Sequence, residues 1–124
     1  MILLDSSCWL EFFSHTEQGA QYEAAVGEPQ SVLVPTVVLC EVARRVLQQR
    51  GEDAAMRVLA AMNECCVVDL TSMIAVEAAH LGVRAGLPLG DSIILATAQA
   101  FGATLWTQDS HFAALPGVKY FPKS

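Results

Sequence analysis

Two aspartates far apart in the chain each follow a short apolar segment. Asp5 comes directly after "MILL", and Asp109 comes just after "TLWT". If both segments are strands of a parallel sheet, their carboxyl ends share the edge at which α/β folds bind ligands. We therefore expect these two carboxylates to meet at that edge.

Two further acids are expected at the same edge. Glu41 lies about one turn into the helix predicted after the strand-like segment "SVLV", and that helix begins at the carboxyl edge of the sheet. Asp91 opens the apolar run "SIILATA", which is typical of a helix. The start of such a helix points at the same edge when the segment before it returns there.

Each of these acids alone has a simple structural explanation. Asp91 and Asp109 can cap the helical segments that follow them, at about 1 kcal/mol each. Asp5 can bond to local amides in a turn. Glu41 can pair with the arginines three and four residues further along its helix, for a few tenths of a kcal/mol.

As a group, the four acids are harder to explain in this way. Carboxylates at ~5 Å repel one another by on the order of 3 kcal/mol per pair at an effective dielectric constant near 20, which is more than a cap contributes. A bound cation removes this conflict, and oxygen ligands suit Mg²⁺ or Mn²⁺. The chemistry that follows is metal-assisted hydrolysis of a phosphodiester.

The segments that position these acids alternate between strand and helix patterns. Strands are predicted for "MILL", "SVLVP", "CCVVDL" and "ATLWT", with "VKYF" as a possible last strand at the edge. Helices are predicted for "SSCWLEFF" with a serine as N-cap, 17–26, 37–50 after a cap at Thr36, 52–63, 72–84 and 91–101, with a short helical turn over 109–115. The alternation predicts one α/β domain over 1–124, with a mainly parallel sheet flanked by helices.

Composition narrows the classes of function. Thirteen acids against seven bases give a net charge of −6, which argues against non-specific binding of nucleic acid. The four cysteines show no zinc-binding spacing, and free thiols indicate a reducing cytoplasm. No apolar run approaches the ~18 residues of a membrane span, and the N-terminus lacks the basic region of a signal peptide.

Four segments in order resemble the PIN-domain family and, more narrowly, the VapC-type toxins of bacterial toxin–antitoxin pairs. They are "LLDSSCWLEFF", "PTVVLCEVAR", "LPLGDSIILATA" and "LWTQDSHF". The resemblance implies a PIN-like α/β/α sandwich and a metal-dependent endoribonuclease. It also implies that Asp5, Glu41, Asp91 and Asp109 are the catalytic acids.

Within that set, the resemblance implies that Asp5, Asp91 and Asp109 bind one or two Mg²⁺ or Mn²⁺ ions. Glu41 then binds a second ion or orients the attacking water. Ser7 and Thr107 match two hydroxyl positions of the family and are expected to orient a water or an acid from the second shell, although local capping explains them equally well.

The resemblance further implies three partners. They are a single-stranded or looped RNA substrate, a small antitoxin whose tail blocks the acidic groove, and a second copy of the chain. The acidic composition departs from what RNA binding needs, so either a basic partner or the cluster of Arg44, Arg45 and Arg50 is expected to supply the contact.

Other residues have more ordinary interpretations. His111, two residues after Asp109, is interpreted as a lone surface histidine. Trp9, Phe12 and Phe13 lie at helical spacing and are expected in the core or on a dimer face rather than in a base-stacking platform.

Two other functions fit the acidic edge. The first is a non-catalytic PIN-like domain that binds a partner protein through its acidic groove, for example through an arginine of that partner. The second is another Mg²⁺-dependent phosphohydrolase or a phospho-aspartate receiver. Against the second stand the absence of a glycine-rich phosphate loop and of a lysine at the end of a late strand, since the only lysines are Lys119 and Lys123.

Overall fold

One parallel sheet organises the computed structural model, which describes residues 1–123. Its five strands stand in the order β3-β2-β1-β4-β5, and every neighbouring pair is parallel. The strands are β1 (Ile2–Leu4), β2 (Val32–Pro35), β3 (Cys66–Val68), β4 (Thr104–Thr107) and β5 (Val118–Tyr120). This confirms the predicted α/β class, with "VKYF" supplying an edge strand.

Six helices connect and flank these strands. They are α1 (Ser6–Phe13), α2 (Glu23–Val26), α3 (Thr36–Arg50), α4 (Glu52–Met62), α5 (Ser72–Ala85) and α6 (Leu89–Ala100). Short 3₁₀ turns occupy Gly19–Tyr22, Pro29–Ser31 and Ser110–Phe112. The arrangement is the α/β/α sandwich expected from the sequence.

The central strand carries the core of the molecule. Leu3 pairs with Leu33 on β2 and with Leu105 on β4, and all three side chains are fully buried. Trp9 of α1 is also fully buried, which confirms its place in the core. Because β1 has a strand on each side, the residue that follows it lies in the middle of the carboxyl edge of the sheet.

The caps of α1 and α3 differ from the sequence predictions. The cap of α1 is Asp5, whose side chain accepts from the Cys8 amide, rather than a serine. The cap of α3 is Pro35, without a side-chain hydrogen bond, and Thr36 is already helical. The fixed φ of proline suits the entry to a helix, and its missing N–H removes one donor that would need a partner.

The single helix predicted over 17–26 is wrong. A 3₁₀ turn over Gly19–Tyr22 leads into the short helix α2, Glu23–Val26. A Cβ on Gly19 would lie 2.3 Å from the carbonyl oxygen of Glu11. The close approach of this turn to α1 is a tertiary contact, and it sets a local geometry that periodicity does not reveal. The turn predicted over 109–115 is likewise shorter, since only Ser110–Phe112 is helical.

No helix among residues 1–123 is long and apolar enough to cross a membrane.

Candidate active site

Asp5 lies at the end of the central strand and is almost completely buried, at 4% exposure. Its Oδ1 accepts from the Ser7 hydroxyl at 2.5 Å and from the Cys8 amide at 3.1 Å, and its Oδ2 accepts from the Thr107 hydroxyl. A carboxylate offers about four lone-pair sites, so these three donors leave roughly one free. Asp5 is thus held in a fixed orientation by α1 on one side and β4 on the other.

The two hydroxyls that bind Asp5 are themselves held by backbone amides. Ser7 Oγ accepts from the Gln108 amide at 3.1 Å, and Thr107 Oγ1 accepts from the Asp109 amide at 2.9 Å. Each hydroxyl hydrogen is therefore directed towards the carboxylate. Ser7 and Thr107 lie where the sequence placed them, beside the first acid, and they connect it to the chain that carries Asp109.

Asp109 and Asp91 meet beside His111. The Nδ1 atom of His111 lies 3.2 Å from Asp109 Oδ1 and 3.7 Å from Asp91 Oδ2. One ligand atom from each of these three residues lies within 4.8 Å of the other two, a spacing that suits a single cation. His111 is 63% exposed, so its interpretation as a surface histidine describes its exposure but misses its contact with both acids.

The explanation of these acids as helix caps is correct for Asp109 and wrong for Asp91. Asp109 does cap its turn, because its Oδ1 accepts from the His111 amide at 2.9 Å. Asp91 does not cap α6. That helix begins two residues earlier at Leu89, after Pro88, and Asp91 lies in its first turn without a capping bond. The positive end of the helix dipole still favours a carboxylate at this position.

Glu41 approaches the cluster from α3. Its Oε2 atom lies so near α6 that a Cβ on Gly90 would stand 3.3 Å from it, and its Oε1 atom is buried with no hydrogen-bond partner among residues 1–123. The alternative explanation for Glu41, an ion pair with the arginines three or four residues along the helix, does not apply, since no such pair forms among residues 1–123. A buried oxygen without a partner costs free energy unless something else satisfies it.

The electrostatics of the site reflect this crowding. Burial is the main cause that raises the pKa of Glu41 above its ordinary value; the nearby Ser6 hydroxyl lowers it in part, and the charges of Asp91 and Asp5 raise it further. Burial also raises the pKa of Asp91, as do the charges of Asp109 and Asp5, against the opposing effect of His111. Among residues 1–123, His111 is the one positive group that opposes the rise in the pKa of Asp91, and none opposes the rise in the pKa of Glu41.

Gln108 is a residue of this region that the sequence analysis did not single out. It is buried, and its Nε2 donates to the Tyr22 hydroxyl at 3.0 Å and to Glu11 Oε1 at 3.4 Å. Its backbone amide holds Ser7. The sequence signal that could have found Gln108 was its place between Thr107 and Asp109. Its polar partners could not be predicted, because they lie on elements distant in sequence.

The donor set fits a hard divalent cation. One carboxylate oxygen each from Asp91 and Asp109 lies together with a His111 ring nitrogen, and Asp5 and Glu41 are near enough for charge effects on this region. Carboxylate oxygens are the ligands that Mg²⁺ and Mn²⁺ prefer. A cation would satisfy the orphaned Glu41 oxygen and offset the repulsion that raises the two pKa values. The cluster is thus compatible with a divalent metal, without distinguishing Mg²⁺ from Mn²⁺.

The family model of the PIN domain matches residues 2–118. The chain belongs to the PIN-domain family. No curated protein matches this PIN domain at a significant level.

Solved structures with the same fold include several toxin–antitoxin proteins. A toxin–antitoxin complex from Klebsiella pneumoniae is 25% identical, with a TM-score of 0.86 over 99% of this chain and 100% of that one. VapC20 of Mycobacterium tuberculosis, a toxin that cleaves the sarcin–ricin loop, is 21% identical, with a TM-score of 0.78 over 94% and 95%. VapBC2 of Rickettsia felis, bound to a DNA fragment from its promoter, is 18% identical, with a TM-score of 0.75 over 98% of each chain.

Proposed function

We propose that this PIN domain is a metal-dependent endoribonuclease that acts as the VapC-type toxin of a bacterial toxin–antitoxin pair. The observation that carries the proposal is the group of Asp91, Asp109 and His111, whose ligand atoms lie within 4.8 Å of one another, together with a Glu41 oxygen that is buried without a partner among residues 1–123. A purely structural cluster would gain nothing from placing uncompensated carboxylates together.

In this proposal, Asp91 and Asp109 hold a Mg²⁺ or Mn²⁺ ion together with the remaining lone-pair site of Asp5. The chemistry supplied by the bound cation is neutralisation of the phosphate charge and activation of water for attack on phosphorus. Glu41 would orient a water molecule at this edge or help to hold a second ion.

The remaining residues of the site act by positioning. The hydroxyls of Ser7 and Thr107 hold Asp5 in one orientation, so that its free lone pair points in a fixed direction. His111 lies against both Asp91 and Asp109 and fixes the spacing of their oxygens. Such pre-organisation reduces the rearrangement required when the substrate binds.

The toxin assignment brings three partners with it. We propose an RNA loop as substrate, because exposed loops present their bases for recognition, and a small antitoxin that covers the acidic groove. We also propose a homodimer in the cytoplasm. On α5, Met73, Val76 and Val83 are 78%, 56% and 87% exposed and share one helix face, which is the composition of a contact surface.

The test is cleavage of a mixed RNA pool by the purified chain, in Mn²⁺ and in EDTA, beside the variant Asp91→Asn. We expect cleavage that requires the metal and falls by about 100- to 1,000-fold in the variant, since loss of one electrostatic contact of this kind costs 10²–10³ in rate. Equal cleavage by the wild type and the variant would mean a contaminating nuclease and would reject the assignment.

A metal titration of the same two proteins separates the proposal from the non-catalytic alternative. A protein that binds Mn²⁺ through Asp91 but leaves every RNA intact is a binding module whose acidic groove receives a partner. An active enzyme shows metal binding and cleavage that are lost together when Asp91 is changed.

A further inference from the structure

The outer face of α3 continues the site with positive charge. Glu41, Arg44, Arg45 and Gln48 are spaced at i, i+3, i+4 and i+7, so their side chains follow one another along a single face of the helix. With a rise of 1.5 Å per residue, Arg45 lies about 6 Å and Gln48 about 10 Å along the helix axis from Glu41. The catalytic edge therefore borders directly on two guanidinium groups.

These two arginines have no acidic partner in the described part of the chain. No carboxylate among residues 1–123 lies within 4.0 Å of either guanidinium, although Glu41 is at ion-pair spacing on the same helix, and both side chains are exposed. In a chain with a net charge of −6, these two adjacent arginines concentrate positive charge beside the carboxylates.

The surface around them is concave. An open depression of about 400 Å³ is lined by Ser6, Leu10 and Glu41 together with both arginines and Gln48. A second depression, of about 410 Å³, shares Ser6, Leu10 and Arg45 with the first and extends to Ser7, Gln108 and Lys123. The two form a track that passes the arginines and the hydroxyl that holds Asp5.

We propose that Arg44 and Arg45, with Gln48, form a phosphate-binding subsite that holds the RNA backbone next to the cleaved phosphodiester. The inference rests on the proposed nuclease function and names residues that position its substrate. The carboxylates repel RNA before a metal neutralises them, so the backbone must be held by cations outside the metal site. Guanidinium groups are suited to this role because they bind phosphate oxygens in a bidentate manner.

The test is binding of a fluorescent, unstructured RNA of mixed sequence in EDTA, where intact RNA is verified on a gel. The variant Arg44→Gln/Arg45→Gln is compared with Arg57→Gln/Arg84→Gln, which removes the same charge from exposed positions on α4 and α5. Glutamine favours helix nearly as well as arginine, so both variants should fold, and circular dichroism verifies this.

We expect the α3 variant to bind RNA about tenfold more weakly than the matched control. The slope of log affinity against log salt should fall by about 1.4, or 0.7 for each lost contact with a single strand. The conservative variant Arg44→Lys/Arg45→Lys should recover most of the affinity, since a point charge still binds phosphate.

Affinity and salt slope equal to those of the control would overturn the proposal and assign the arginines to an acidic protein partner. Cleavage in Mn²⁺, measured on the same proteins, keeps the two proposals separate. Arginine-dependent binding without cleavage leaves the subsite in place and rejects the nuclease. Cleavage in Mn²⁺ together with RNA binding that does not depend on these arginines supports the nuclease and rejects the subsite.

Discussion

The acidic site has two sides that differ in how their carboxylates are satisfied. On the Asp5 side, one buried carboxylate accepts three hydrogen bonds from Ser7, Cys8 and Thr107. On the opposite side, formed by Glu41 and Asp91, a carboxylate oxygen is buried with no donor, and burial together with neighbouring charges raises both pKa values. The carboxylate on the Asp5 side is satisfied by hydrogen bonds within the fold, whereas the Glu41–Asp91 side leaves one Glu41 oxygen without a donor among residues 1–123.

The fold itself fixes the orientation of the carboxylate on the Asp5 side of the site. The donors to Asp5 come from the chain on both sides of it, so its orientation exists before any ligand binds. Glu41 lies on α3 and Asp91 lies on α6, so the packing of these two helices determines how close the two carboxylates are. Four changes would test the contrast.

The largest expected effect is stabilisation by metal. At a Mn²⁺ concentration about 100 times Kd, the free energy of unfolding of the wild type should rise by about 2.7 kcal/mol. The same addition should stabilise Asp91→Asn much less, because that variant removes a ligand from the side that needs the cation. Thermal unfolding with and without Mn²⁺ measures both, and equal stabilisation would place the cation elsewhere.

The next effect concerns the Asp5 side. In Asp5→Asn, an amide NH₂ replaces one of the two acceptor oxygens, so the hydroxyl of Ser7 or Thr107 that faces it loses the acceptor for its hydrogen. Both hydroxyls already accept backbone amides, which limits their freedom to turn elsewhere. We expect a loss of about 2 kcal/mol in unfolding free energy, measured by urea in EDTA at pH 7. Asp91→Asn, measured in parallel, should stay within about 0.5 kcal/mol of the wild type. Similar losses in both variants would remove the distinction between the two sides.

A smaller effect is expected from Glu41→Gln in the metal-free protein. Because the folded pKa of Glu41 is raised, the folded state binds its proton more tightly than the unfolded chain, whose value is near 4.5. That stabilising contribution is complete below the unfolded pKa and is lost as pH rises through the folded pKa. Glu41→Gln should therefore be more stable than the wild type at pH 7, by up to about 1 kcal/mol after solvent screening.

The readout is the difference in unfolding free energy between Glu41→Gln and the wild type, in EDTA at pH 4 and at pH 7. The difference should grow in favour of the variant as pH rises. A wild type that gains on the variant between these two values would show that Glu41 is stabilised in its charged form by a group within the fold.

The smallest effect tests the contact between the two helices. In Gly90→Ala, the free energy of unfolding should rise because alanine stabilises a helix by about 0.5–1 kcal/mol relative to glycine. Part of this gain should be lost, because the new Cβ stands 3.3 Å from Glu41 Oε2. We expect a net change of a few tenths of a kcal/mol and, because Glu41 must shift, a several-fold weaker affinity for Mn²⁺. Unchanged metal affinity in calorimetry would show that Glu41 does not contribute to the cation site.

Much of the architecture could be predicted because it depends on the local sequence of each segment. The strands are short apolar runs bounded by polar residues, glycine or proline, and their alternation with helices predicts a parallel sheet. That topology places Asp5 and Asp109 at one edge without any knowledge of contacts. Asp91 and Asp109 lie together beside His111, and the catalytic and metal-binding roles of Asp5, Glu41, Asp91 and Asp109 remain a prediction.

What could not be predicted depends on contacts between distant elements. The start of α6 at Leu89 follows from Pro88 as its cap, which gives Asp91 a place in the first turn instead of at the cap. The position of His111 between two acids depends on how the turn after β4 meets α6. Gln108 is fixed by partners on α1 and at Tyr22, far away in sequence.

The bond from Thr107 to Asp5 spans 102 residues and joins neighbouring strands from opposite ends of the chain. During synthesis, the first acid leaves the ribosome long before its hydroxyl partner on β4 and before Asp109. A nascent chain, or one truncated before β4, therefore holds Asp5, Glu41 and Asp91 but lacks Thr107, Asp109 and His111. Under the proposed nuclease function such a chain would be inactive, because the hydroxyl that orients the first acid and two of the three clustered ligand groups are missing.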